Sequence, residues 1–252
     1  MLELRQLDIS IGKRPLIRGL DLQIQAGQIW CLLGRNGSGK STLLRTLAGL
    51  QAPSGGACSL AGKPLQDWSA AEQAQRRAYL PQHQSDVFGL SVLQTVLLGR
   101  FAHGSNWDSP ADLAIAYAAL AQMDVADLAH RDVRSLSGGE RQRVALAMVL
   151  AQDAPLLLLD EPSNHLDPAH QQALQQQLRH WQQQGPRTAL VVLHDLNLAL
   201  RLASHALLLL PDGQWLAGPV PEVIHAQSLQ QCLNQAFAPV QHAGRTWWLA
   251  QE

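Results

Sequence analysis

The sequence predicts an α/β fold with a mainly parallel core sheet, an antiparallel β subdomain and an inserted α-helical subdomain. Three observations predict it. Short, continuously apolar runs at 29–33, 156–159, 189–193 and 206–210 alternate with helix-like stretches, as strands buried on both faces do. Near the start, Leu2, Leu4, Leu7 and Ile9, then Leu20, Leu22 and Ile24, alternate with polar residues, the period of a half-buried sheet. From His83 to about Arg134 the period becomes helical, through Val92, Val96 and Leu97, then Leu113, Ala116, Tyr117 and Leu120.

In order along the chain, Gly12-Lys13-Arg14-Pro15 and Gln25-Ala26-Gly27 are turns between the first strands. The run 29–33 then meets Gly34-Arg35-Asn36-Gly37-Ser38-Gly39-Lys40-Ser41-Thr42, which fits G-x-x-x-x-G-K-[ST] and opens a helix-like run to Leu50. Strand, glycine-rich turn and helix N-terminus together form a phosphate cradle. Glycines let successive N–H groups point inward, and the helix end adds donors and partial positive charge. Lys40 would reach the β- and γ-phosphates and the Ser41 hydroxyl a Mg²⁺ ion. The chain thus reads as a P-loop NTPase. A short strand is expected at 57–60, and one at 77–82 ended by Pro81. A loop follows at 104–110, with Ser109 or Asp108 as cap of the next helix. The Gln-rich run 171–184 keeps Leu174 and Leu178 four apart and reads as a helix with a solvated face. Asp212-Gly213 marks a hairpin, two short helical stretches follow, and a last strand is expected around 245–249. The domain plan is one domain, 1–252. Residues 1–82 and 146–252 form the nucleotide-binding core and 83–145 the helical subdomain.

Size and composition bound the function. At 252 residues and 46% apolar composition, one domain with a real core is expected. A net charge of −1 without long single-sign runs argues against nucleic-acid binding through a basic face. Cys31, Cys58 and Cys232 form no CxxC, so neither a zinc site nor a disulfide framework is suggested. The ten histidines show no ligand spacing on one face. No signal peptide opens the chain, and no apolar run approaches the roughly 20 residues of a spanning helix. A cytoplasmic protein is expected, reaching a membrane only through a partner.

Two further stretches carry chemistry. Asp160 and Glu161 end a four-leucine strand, and in parallel sheets ligands bind at strand C-termini. If that strand lies beside the phosphate-loop strand, Asp160 would hold Mg²⁺ directly or through water, and Glu161 could act as general base on the attacking water. Leu136-Ser137-Gly138-Gly139-Glu140 opens a second helix, capped by Ser137, whose N-terminus is another candidate anion site.

Taken together, these motifs resemble the nucleotide-binding subunit of an ATP-binding cassette (ABC) transporter. Residues 34–41 resemble its Walker A loop, Gln82 the Q-loop glutamine, and 136–140 the LSGGQ signature, with Glu140 in the last place. Residues 156–161 resemble Walker B, 163–167 the D-loop and His194 the switch histidine. The resemblance implies a head-to-tail homodimer. Each ATP would lie between one copy's loop (Gly34, Asn36, Gly37, Ser38, Gly39, Lys40, Ser41, Thr42) and the other copy's Ser137, Gly138 and Gly139. It also implies that Gln82 contacts Mg²⁺ or the water, that His194 holds the γ-phosphate, and that Asp167 crosses the dimer interface. Taken alone, Asp167 is an N-cap before Pro168. Where these proteins carry an aromatic residue for adenine, this chain has Ile11. Adenine would then rest on an aliphatic surface, which weakens the basis for choosing ATP over GTP.

The resemblance further implies a separate polytopic membrane permease, a substrate-binding protein behind it, and a peripheral place on the cytoplasmic face of the inner membrane. The stretch 61–82, with Gly62, Trp68 and Tyr79, is similar to ATPases that import metal chelates. Vitamin B12 is the first expectation, ferric siderophore or haem the next. A soluble ABC protein of translation or DNA repair is the rival; its usual tandem cassettes, coiled coils or zinc modules are not seen. A small-molecule kinase would explain the phosphate loop but not residues 137–140.

Overall fold

The computed structural model describes residues 1–83, 89–104, 109–242 and 244–251. The chain packs as two compact units, Met1–Asp67 with Thr188–Glu252, and Trp68–Arg187.

The first unit begins with β1 (Leu2–Ile11) and β2 (Arg14–Ile24), antiparallel partners whose inward residues are the alternating leucines and isoleucines. The register of β1 slips between Leu4 and Leu7, where Gln6 has φ 47° and its N–H donates to Asp21 Oδ1 at 2.8 Å. β3 (Ile29–Leu33) is buried at all five residues, as its unbroken apolar sequence requires. It runs into the loop at 34–39 and α1 (Lys40–Leu47), then β4 (Gly55–Leu60) and β5 (Lys63–Pro64) complete an antiparallel sheet in the order β2-β1-β4-β5.

The second unit holds α2 (Ala70–Arg76), β6 (Arg77–Leu80), α3 (Val92–Leu97), α4 (Pro110–Gln122), α5 (Gly138–Ala151), β7 (Leu156–Asp160) and α6 (Pro168–Gln183). β6 pairs in parallel with β7, from Arg77 opposite Leu156 to Leu80 opposite Leu159. Ser109 caps α4, whereas the alternative cap Asp108 lies outside the described residues, as does the loop centre at 105–108. α4 differs from its sequence reading at one place. Tyr117 is 39% exposed, and Asp112 shares the buried stripe with Ala116, Ala119 and Leu120. Arg100 is the reason: its Nε donates to Asp112 Oδ1 at 2.7 Å and its Nη1 to the Ala151 carbonyl at 2.8 Å, turning a polar residue inward. That guanidinium, before any other influence, holds the Asp112 carboxyl below its usual range. In α6 the buried stripe is Leu174, Leu178 and Trp181, with glutamines filling the outer face.

The chain returns to the first unit with β8 (Thr188–Val192), α7 (Leu196–Leu202), β9 (His205–Leu209), β10 (Trp215–Pro219), α8 (Val220–Val223), α9 (Ala226–Leu233), β11 (Phe237–His242) and β12 (Arg245–Ala250). β3 runs parallel between β8 and β9, and β10 turns back antiparallel on β9 through a 3-10 turn at Pro211–Gly213. β11 and β12 form a separate hairpin. Cys31, Cys58 and Cys232 are buried free thiols, and burial pushes Cys31 and Cys232 up to about 12, so both stay protonated. Among the described residues no helix is long and apolar enough to cross a membrane, and no three His, Cys, Asp or Glu side chains gather as metal ligands.

Candidate active site

The first unit carries the phosphate loop. Gly39 sits at φ 104°, a left-handed position, and an added Cβ would come within 3.0 Å of Leu16 Cβ, so glycine is needed there twice over. It caps α1, whose first turn bears Lys40, Ser41 and Thr42, with no side-chain hydrogen bond. Upstream, Ser38 N–H donates to the Arg35 carbonyl at 3.1 Å and closes the turn, and the Ser38 hydroxyl is buried. Lys40 Nζ folds across the loop, donating to the Gly34 carbonyl at 2.8 Å and the Arg35 carbonyl at 3.0 Å. His194 lies just past β8 and lines the same cavity of about 430 Å³ as Gly34, Arg35, Asn36 and Lys40. A larger cavity of about 570 Å³ is lined by Arg14, Arg18, Arg35, Asn36, Gly37 and Ser38 among others. Ile11 does not line either and is 60% exposed.

The second unit carries the carboxylates. Asp160 ends β7 at 1% exposure and Glu161 follows at 5%. Glu161 has φ 54°, a strained position for a residue with a β-carbon, of the kind that surrounding structure must enforce. Its Oε2 accepts from Gln82 Nε2 at 2.7 Å and from Asn164 Nδ2 at 2.6 Å. Gln82, which the resemblance sets against Mg²⁺ or the water, donates to this carboxylate in the structure. Asn164 was not anticipated as a site residue. Its signal was available, an amide three residues past the glutamate in the turn that follows the strand.

The signature stretch is in the same unit. Ser137 caps α5 in a reciprocal box: its N–H and its hydroxyl each donate to Glu140 Oε2 at 2.7 Å, while its Oγ accepts from the Glu140 N–H at 3.4 Å. The Ser137 hydroxyl, then its N–H, hold the Glu140 carboxyl below its usual range. At the helix end read as a candidate anion site, both Ser137 donors reach the chain's own Glu140 carboxylate. An added Cβ on Gly139 would stand 2.9 Å from the His165 carbonyl oxygen, so the D-loop backbone excludes any side chain at that point. Gln142 fastens the helix to the same turn, donating to the Pro162 carbonyl at 3.0 Å. Asp167 caps α6 by accepting from the His170 N–H at 2.9 Å.

Each half therefore has a chemical capacity of its own. One offers an uncapped helix N-terminus, an ammonium and an imidazole around one cavity. The other offers an oriented buried carboxylate and a glycine-lined helix start.

Residues 17–164 match the family model described as ABC transporter. Curated relatives include two hemin import ATP-binding proteins, HmuV. That of Pseudomonas aeruginosa is 42% identical over 250 residues, 97% of each chain, and that of Streptomyces coelicolor is 44% identical, covering 88% of this chain and 79% of its own. Among solved structures, an inward-facing ABC transporter of metal-chelate type superposes with TM-score 0.84 at 27% identity, over 100% of this chain and 97% of that one. A dimeric ATP-binding cassette in a post-hydrolysis state with ADP and Pi superposes with TM-score 0.79 at 25% identity, over 87% and 99%. The chain belongs to the ABC transporter family, as an ATP-binding ATPase subunit of its importer branch.

Proposed function

We propose that this chain hydrolyses ATP to drive haem import through a separate polytopic permease, as a homodimer on the cytoplasmic face of the inner membrane, with a substrate-binding protein delivering the cargo. The single observation that carries the hydrolytic part is Glu161, held at a left-handed backbone position with its carboxylate gripped by Gln82 and Asn164. The cargo rests on the hemin importers to which the chain is similar. Vitamin B12, expected first from residues 62–68, gives way to haem.

In this reading the α1 N-terminus and Lys40 bind the β- and γ-phosphates, Lys40 leaving its own loop carbonyls to do so. Ser137 and Gly139 of the second copy close on the γ-phosphate, with Gly138 giving the helix start room to approach. Glu161 takes a proton from the attacking water as its oxygen bonds to the γ-phosphorus. The bond to the β–γ bridging oxygen breaks, and ADP carries away that electron pair. Gln82 and Asn164 keep the carboxylate aimed, and His194 holds a γ-phosphate oxygen. Ser41 and Asp160 supply a hydroxyl and a buried carboxylate, the hard oxygen donors that suit Mg²⁺. When bound, Mg²⁺ neutralises charge developing on the phosphate oxygens. ATP binding and hydrolysis then act as differential ligands for closed and open dimers, and the permease follows that switch.

The test is reconstitution with the permease in liposomes, with the binding protein added. ATP should drive haem accumulation, and Glu161→Gln should stop it. Accumulation of vitamin B12 in place of haem would refute the cargo. ATP turnover with no cargo moved would refute coupling.

A further inference from the structure

The C-terminal hairpin is tied to the helix that follows His194. Only Leu193, His194 and Asp195 separate β8 from α7, so the pose of α7 sets where the His194 ring can lie. Asp195 caps α7, its Oδ1 accepting from the Leu198 N–H at 2.9 Å. Asn197, in the first turn, pairs with the backbone of β12 as a neighbouring strand would. Its Nδ2 donates to the Trp248 carbonyl at 3.0 Å, and its Oδ1 accepts from the Trp248 N–H at 2.8 Å. Trp248 stands opposite Pro239 at a non-hydrogen-bonded position of the hairpin, so its N–H and carbonyl face away from β11. One turn later Arg201 lies over the Trp247 ring, 4.9 Å from its centroid, while its Nε donates back to the Asn197 carbonyl at 3.2 Å. Two adjacent tryptophans of one strand therefore hold two consecutive turns of α7.

We propose that Asn197 and this hairpin form a latch, with Asn197 a positioning residue that sets His194 against the phosphate-loop cavity. The inference rests on the reading of His194 as the group that holds the γ-phosphate. Both amide bonds run to main chain, so the side chain at Trp248 contributes little to them. What matters is the carboxamide at Asn197 and the placement of β12.

The test is a double-mutant cycle on the full-length chain, reading kcat and KM for ATP hydrolysis together with ATP affinity from a fluorescent analogue. Asn197→Ala should lower kcat about tenfold with KM and ATP affinity unchanged, because a displaced group costs rate and not binding. In a His194→Ala background the same change should add less than about twofold, because its only route to the reaction is gone. Trp247→Ala, which loosens the hairpin from Arg201 and leaves Asn197 in place, should follow the same pattern more weakly and serves if Asn197→Ala does not fold. Equal losses in both backgrounds, or a matching fall in ATP affinity, would overturn the latch. So would an unchanged kcat where His194→Ala is inactive. Undiminished turnover of His194→Ala itself would remove the reading of His194, a failure distinct from that of the latch alone.

Discussion

Replacing Glu161 by glutamine changes one atom of the site. The amide is the same size, and its oxygen can occupy the place of Oε2, where it would still accept from Gln82 and Asn164 now found at 2.7 and 2.6 Å. The strained backbone at φ 54° and the near-complete burial of the side chain are unaffected. What is lost is the group that takes the proton of the attacking water. General-base catalysis contributes about 10²–10⁴ in rate, or about 2.7–5.4 kcal/mol at about 1.36 kcal/mol per decade. Phosphate release at saturating ATP should fall by that factor while ATP affinity stays within about twofold, since the phosphate-binding groups are untouched. Gln82→Ala and Asn164→Ala each leave one amide on the carboxylate and should each cost less than Glu161→Gln. A Glu161→Gln variant turning over within about threefold of the parent would refute Glu161 as the base.

The other predictions are briefer. Ile11→Tyr, at a 60% exposed position, should tighten ATP about 2–10-fold by adding an aromatic face worth about 0.5–1.5 kcal/mol, read by equilibrium nucleotide binding; no change would mean that the base lies elsewhere. Glu140→Gln removes the carboxylate that occupies both Ser137 donors, so ATP-driven dimerisation should need less ATP, as light scattering would report; a higher requirement would show that the carboxylate helps to close the site. Burial holds the His205 imidazole, stacked on Trp30 at 4.8 Å, below its usual pKa. Its neutral form thus stabilises the fold above about pH 6.5, and that contribution is lost as pH falls through the depressed folded value. Melting temperature should drop over that acid range, and His205→Phe should flatten the drop.

Contiguous chemistry was legible in the sequence. Residues 34–42, 137–139 and 156–161 each fold around their own neighbours, so spacing alone places them on a loop, a capped helix and a buried strand. Even the Ser137–Glu140 box has a spacing rule behind it, the Ser-x-x-Glu pattern of a reciprocally capped helix. What could not be read were partnerships made across the chain. Gln82 and Glu161 are 79 residues apart, and nothing local announces that one grips the other. Arg100 draws Asp112 into the core and so rotates the reading of α4, leaving Tyr117 outside. β11 was missed because Phe237-Ala238-Pro239-Val240 shows no clean alternation and carries a proline, which a two-stranded edge tolerates. Its importance lies in what its partner strand does to α7, which only tertiary structure reveals.

The central claim is that the nucleotide site of one copy is completed by Ser137 and Gly139 of another. Glu161→Gln protein with ATP, followed by light scattering with nucleotide counting, tests it most directly. A dimer holding two ATP is predicted, and adding Ser137→Arg should return it to monomers that still bind one ATP each. A double variant that still dimerises with ATP would contradict the composite site, as would a Glu161→Gln protein that stays monomeric at saturating ATP.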